Sequence, residues 1–295
     1  MSIDRHETNV RIDPLSGVST TGHEWDGVEE LNTPLPRWWV WTFIATVVWG
    51  VAYCFVYPAW PTASGGSEGF FGWHSRAAVE QDVAALQETR APILQKIKNA
   101  PIDTIEKNPE LLAAARTVGK VAFLNNCAPC HGAGAQGAKG YPNLNDDDWI
   151  WGGKLADIQS TIEHGVRWDA DKDSRSGAMP AFGRDGILTP QQISDVADWV
   201  RTMADVPDAL APEPAGEKVY NENCAVCHGV EGQGNKAMGA PNLFDAIWLY
   251  GSDKPTIVKR ISQGGGGVMP AWKGRLDDTT IKALTVYVHS LGGGQ

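Results

Sequence analysis

The sequence predicts an all-helical protein in which one N-terminal transmembrane helix precedes two tandem copies of a small helical domain. Three observations carry that reading. Residues 38–57 hold no charged side chain. One pattern of cysteine, histidine, methionine and aromatic residues occurs twice in the rest of the chain. Each copy closes on a capping residue followed by apolar positions at three- and four-residue spacing. No strand is required in either copy.

Twenty uncharged residues rising about 1.5 Å each reach roughly 30 Å as a helix, the thickness of a bilayer's hydrocarbon core. Trp38, Trp39 and Trp41 crowd one end while Tyr57 and Trp60 mark the other, the placement of interfacial aromatics. A cleaved signal peptide would open on a short basic region. Here a mostly acidic tail, residues 1–35 with seven carboxylates against Arg5 and Arg11, precedes the span, so the helix is expected to remain. That tail reads as cytoplasmic and without a core of its own, ordered only by a partner. Arg37, with no Lys or Arg beyond the span until Arg76, weakly favours a cytoplasmic N-terminus. The transmembrane segment is assigned to residues 36–60. Residues 61–108 form a spacer or docking segment, Gly-, Ser- and Pro-rich at first, then helical in part and interrupted at Pro92 and Pro101. A hydrophobic fraction of 42% suits a mostly soluble chain, and a net charge of -10 without any basic run excludes a nucleic-acid binder.

The first copy, assigned to 109–205, runs Gly119, Phe123, Cys127, Cys130, His131, Gly132, then Tyr141-Pro-Asn-Leu144, Met179-Pro-Ala-Phe182, Leu188, Ile193 and Trp199. The second, assigned to 215–295, runs Gly216, Tyr220, Cys224, Cys227, His228, Gly229, then Ala240-Pro-Asn-Leu243, Met269-Pro-Ala-Trp272, Leu276, Ile281 and Tyr287. Between His and Met the first copy is longer by seven residues, which fits an inserted polar loop over 167–176. A linker over 206–214, stiffened by Pro207, Pro212 and Pro214, joins the two. In the opening helix of each copy the aromatic and the glycine share a face, and the glycine permits close backbone approach. Thr189, Pro190 and Gln192 mark the start of the closing helix in the first copy, and Asp277 does so in the second. The two terminal helices of each copy are expected to cross at Gly119 or Gly216.

In Cys-x-x-Cys-His, two thiols are spaced for the two vinyl groups of one porphyrin and the imidazole next to them can bind its iron, the attachment motif of c-type haem. Two motifs in matching frames imply two covalent haem c groups, on Cys127 and Cys130 with His131, and on Cys224 and Cys227 with His228. A zinc site would need a second local ligand pair, and thioredoxin-like redox chemistry a βαβ setting; neither surrounds these cysteines. Met179 and Met269, both followed by Pro-Ala-aromatic, are expected as the sixth ligands of the first and second haem, each closing its iron and raising its potential. Met238 ranks below Met269 because the first copy has no counterpart. His164 ranks below Met179 for the same reason. Met203 reads as packing, Cys54 receives no role, and the run from Asp146 to Asp148 reads as a solvated loop. With both irons six-coordinate and no general acid or nucleophile pair in view, no catalytic residue is assigned and the chain is expected to carry electrons.

Each copy resembles a class I cytochrome c domain, which implies an all-helical fold around its haem. The stretch over 21–39 (TGHEWDGVEELNTPLPRWW), leading into one membrane helix and two such domains, resembles the dihaem CcoP or FixP subunit (subunit III) of cbb3-type cytochrome c oxidases. That resemblance implies a non-catalytic electron-transfer subunit of the bacterial inner membrane with periplasmic haem domains. It would take electrons from a donor cytochrome c toward a monohaem cytochrome c subunit and a catalytic haem b/copper subunit. It also implies thioethers at the four motif cysteines, with His131, His228, Met179 and Met269 on the irons. A free-standing membrane cytochrome shares the haem motifs but not the 21–39 stretch. A dihaem peroxidase would need one open iron.

Overall fold

The computed structural model describes residues 10–292 apart from 64, 208, 210 and 212. Pro212 of the linker therefore lies outside the described residues, as does Arg5 of the tail. The chain divides into two units, 1–87 and 88–295.

In the first unit the tail is not featureless. Strands β1 (Thr20–Trp25) and β2 (Val28–Leu31) pair antiparallel. Asp26 and Gly27 turn between them at φ 50 and 83, the left-handed pair that an Asp-Gly hairpin favours. Arg11 pairs with Glu29, and the buried Thr20 accepts a 3.0 Å hydrogen bond from the Arg11 amide. Helix α1 (Arg37–Val56) follows, 20 residues with none buried against protein. Its two threonines return their hydroxyls to the helix backbone, Thr42 to Trp38 and Thr46 to Phe43, so neither needs a partner in lipid. A small ladder, β3 (Pro61–Thr62) with β4 (Gly65–Gly66), then leads the chain back to the helix end, where Phe70 donates to the Phe55 carbonyl.

Helix α2 (Ser75–Asn99) runs straight through Pro92. The interruption expected there does not occur, and the residues of the turn before Pro92 are exposed. One proline inside a helix costs about 3 kcal/mol, which a helix of 25 residues can bear. Pro101 does break the chain direction and opens α3 (Ile102–Ile105). Ile97 and Ile105 are fully buried, against Leu111 and Ala115 of the next helix and Val286 near the C-terminus, so this end of the spacer is packed structure. Lys282 donates to the Lys98 carbonyl at the end of α2 and to the Ala100 carbonyl just past it, 2.8 Å each.

The first copy supplies α4 (Pro109–Asn126), the turn α5 (Ala128–His131), α6 (Leu155–His164) and α7 (Pro190–Met203). The second supplies α8 (Pro214–Asn223), α9 (Ala225–His228), α10 (Lys254–Gln263) and α11 (Asp278–His289). The caps fall where the residues put them: Thr189 and Gln192 form a reciprocal capping box, and Asp277 accepts from the Thr280 amide at 3.0 Å.

The helix pairing departs from expectation. Gly119 of α4 lies against Ala283 and Tyr287 of α11, and Gly216 of α8 lies against Asp195 and Trp199 of α7. Opening and closing helices therefore cross between copies. Each glycine is needed, since a Cβ at either would collide with the facing main chain. One core joins Phe123, Ile158 and Ile162 of the first copy to Ile281, Leu284 and Val288 of the second. The other joins Ile193, Val196 and Trp199 of the first to Val219, Tyr220 and Ile261 of the second. Ring pairs repeat the exchange, Phe123 on Tyr287 at 5.5 Å and Trp199 on Tyr220 at 4.5 Å. The short linker explains it: α8 begins so soon after α7 ends that the two pack as sequence neighbours, leaving α11 to cover α4.

Exchange makes neither copy self-sufficient. A protease site placed in 206–214 of the haem-loaded full chain and then cut is expected to leave two fragments that co-elute under native conditions. Separation into two stable haem proteins would show that each copy closes on itself.

Candidate haem centres

Each Cys-x-x-Cys-His unit sits at the end of an opening helix. Cys127 caps α4 through its amide to the Phe123 carbonyl, 2.8 Å, and Cys224 caps α8 through the Tyr220 carbonyl at the same distance. One further turn carries the second cysteine and the histidine, and ends at Gly132 or Gly229, both at φ 81. The chain then folds back so that the Pro142 carbonyl lies 3.0 Å from His131 Nδ1 and the Pro241 carbonyl 2.9 Å from His228 Nδ1. A carbonyl can only accept, so Nδ1 carries the proton and Nε2 keeps its lone pair for a metal. Gly137 and Gly234 make this return possible: both have positive φ, and a Cβ at either would strike the residues around that proline.

Burial holds both imidazoles below their ordinary pKa, which keeps them neutral and able to ligate. Burial also pushes the Cys127 and Cys224 thiols up to about 11, each with a smaller contribution from the second cysteine of its motif. Two cysteines and one imidazole at each centre, with no second local pair of ligands, suit attachment of a porphyrin rather than a four-ligand zinc site. The donor set fits a covalently held haem.

The methionines reach the opposite centre from the one expected. Met179 packs in the core containing Tyr220, Cys224, Leu243 and Trp248, whereas Met269 packs with Phe123, Cys127, Leu144 and Trp149. Their main chains are held across the copies. Met269 and Val166 exchange two hydrogen bonds of 2.9 Å; the Gly265 amide donates to the Met179 carbonyl at 2.7 Å and the Met179 amide returns a bond of 3.4 Å to the Gly265 carbonyl. Val166 and Gly265 lie just past the ends of α6 and α10, so each methionine strand docks on a helix of the other copy. Met179 therefore packs beside the second motif and Met269 beside the first, the reverse of the arrangement expected, for the same reason as the helix crossing.

The weaker candidates are placed elsewhere. His164 is tied to Asp171 of the inserted loop, Nδ1 to Oδ2 3.0 Å. Met238 is 46% exposed and outside both cores, and Met203 is exposed at the end of α7 rather than packed. The run from Asp146 to Asp148 is not simply solvated. Asp146 and Asp148 line a cleft of about 350 Å³ with Lys139 and Tyr141 of the first copy and Trp248 and Tyr250 of the second. Burial, with the charges of Asp245 and Asp146 added, pushes the Asp148 carboxyl up to about 6. Asp146 and Asp245 are raised in the same way, by burial first.

Three family models match the chain. The N-terminal domain of cytochrome oxidase-cbb3, FixP, covers residues 17–64; cytochrome c covers 117–204; cytochrome c oxidase, cbb3-type, subunit III covers 211–288. One apolar helix joined to two such domains defines a membrane-anchored cytochrome c. A cbb3-type cytochrome c oxidase subunit FixP of Azorhizobium caulinodans is 55% identical over 100% of both chains. A FixP of Bradyrhizobium diazoefficiens is 54% identical over 96% of this chain and 98% of its own. A CcoP of Cereibacter sphaeroides is 45% identical over 94% and 95%. The chain belongs to the FixP/CcoP family of cbb3-type cytochrome c oxidase subunits.

The folded state keeps the Asp148 proton up to about pH 6, while the unfolded chain releases it in the usual carboxylate range. Stability from this group therefore rises as pH falls through 6 and is lost on returning to neutrality. Asp148→Asn is expected to raise the Tm at neutral pH and to flatten its rise on mild acidification. An unchanged pH profile of Tm would contradict this assignment.

Proposed function

We propose that this chain holds two haem c groups and relays electrons through them from a donor cytochrome c to a monohaem cytochrome c subunit, and through that to the haem b/copper subunit of the oxidase. The first haem is held by Cys127 and Cys130 with His131 and Met269 on its iron; the second by Cys224 and Cys227 with His228 and Met179. Bound haem supplies reversible one-electron chemistry at iron. The chain's own residues do the rest. The thioether cysteines keep the group in place, the proline carbonyls orient the imidazoles, and the methionine sulfurs close the sixth position and favour the reduced state. The observation that carries this reading is the repeated geometry of two oriented imidazoles, each with a Met-Pro-Ala-aromatic strand packed into the same core.

The single apolar helix anchors the chain, with the N-terminal tail cytoplasmic and the haem domains periplasmic. Arg37 at the start of the span and the extracytoplasmic attachment of c-type haem support that orientation. No charged group lies between Trp38 and Val56, so α1 serves as an anchor against lipid and neighbouring helices rather than as an ion path.

Two measurements test the reading. Affinity purification of the tagged full chain from membranes is expected to bring down c-type haem together with b-type haem, copper and oxygen uptake; two c haems on a lone chain would favour a free-standing shuttle. Met179→Ala and Met269→Ala are each expected to open one c haem to carbon monoxide and lower its potential. Failure of either variant to bind the gas would remove that methionine from the iron.

A further inference from the structure

The two methionine strands share one side chain. Arg167 lies just past α6, with its backbone left-handed at φ 50, a conformation that non-glycine residues rarely adopt. Its Nε donates to the Gly267 carbonyl at 2.6 Å and its Nη1 donates to the Gly177 carbonyl. Gly177 stands two residues before Met179, and Gly267 two residues before Met269. A single planar guanidinium is thus bonded to both methionine strands at the same register. The Trp151 ring lies under it, 6.0 Å from Cζ to centroid.

The repeat explains why only one copy carries this arginine. His164-Gly-Val-Arg167 of the first copy corresponds to Gln263-Gly-Gly-Gly266 of the second, so Arg167 and Gly266 are equivalent positions. They also meet: a Cβ on Gly266 would stand 2.5 Å from Arg167 Cζ. Where the two halves face each other there is room for one side chain, supplied by the first copy and accommodated by the glycines of the second. Among the described residues no carboxylate pairs with Arg167, so its hydrogen bonds serve the two strands.

We infer that Arg167 is the shared positioning residue of the two distal methionines, setting both iron–sulfur bonds at once and so coupling the two haems through one side chain. The inference rests on Met179 and Met269 being iron ligands. A fork with donors in fixed directions is what the role requires; a lysine keeps the charge but not the fork.

The test uses the haem-loaded full chain and the far-red absorption band that a methionine sulfur gives on ferric haem, with a redox titration of both haems. Met179→Ala and Met269→Ala calibrate it, each expected to remove about half of the band, since one of two ligands is lost. If neither does so, the ligand reading fails. With that calibration in hand, Arg167→Gln and Arg167→Lys are expected to weaken the band by more than either methionine variant and to lower both potentials, at unchanged haem content. Gly266→Ala, which keeps the guanidinium but displaces it, is expected to act in the same direction with a smaller loss. An undiminished band, or a change confined to one haem, would overturn the inference while leaving the ligands in place. Should Arg167→Gln fail to take up haem, Arg167→Lys and Gly266→Ala decide by the same criteria.

Discussion

Two short main-chain bridges, Val166 with Met269 and Gly265 with Met179, govern the arrangement of the haem domains. Each ties a methionine strand of one copy to a helix end of the other. An antiparallel bridge satisfies the donor and acceptor of both residues it joins, so a shift of either strand breaks two main-chain hydrogen bonds at once, and at the buried Val166 it leaves polar groups without partners. The neighbouring bonds extend the lock: the Trp272 amide to the Ile162 carbonyl on one side, and the Phe182 amide to the Ile261 carbonyl on the other. The crossing of α4 with α11 and of α7 with α8 follows the same exchange, because the closing helix of each copy comes directly after its methionine strand.

An exchanged pair behaves differently from two beads on a string. In independent domains, damage to one haem site would leave the other untouched. Here each core contains residues from both halves, so a cavity at Ile281 weakens the surroundings of Cys127 and one at Ile193 weakens those of Cys224. Rigidity is the gain for an electron carrier, since neither haem domain can swing away from the other. The spacer contributes to the same end. Lys282 holds the end of α2, and His289 reaches Glu106 at 2.6 Å, fixing residues 98–106 to α11.

Much of this was legible in the residues, and the gaps have physical causes. The caps at Thr189 and Asp277, the apolar stripes and the positions of the two Cys-x-x-Cys-His units are local, set by residues within a turn or two of one another. Helix pairing is not local. Gly119 and Gly216 carry the same message, as do Tyr287 and Trp199, so either partner satisfies either glycine until linker length is considered. The methionine pairing inherits that ambiguity. Asp26-Gly27 signals a hairpin, but it lies in an acidic tail whose composition argues for disorder, and the local turn prevailed. Burial at Asp148 arises because residues of the second copy cover it, which no pattern within the first could show. Arg167 reads as the edge of a polar insertion and shows its partners only in three dimensions.

Which sulfur faces which iron distinguishes the exchanged arrangement from two self-contained domains. Cryo-electron microscopy of the haem-loaded chain in its oxidase, at a resolution that separates side chains, would decide it. The exchange requires Met269 Sδ on the iron of the haem bound to Cys127 and Cys130, and Met179 Sδ on the iron of the haem bound to Cys224 and Cys227. The opposite pairing would contradict it, returning each haem to a domain built from its own copy.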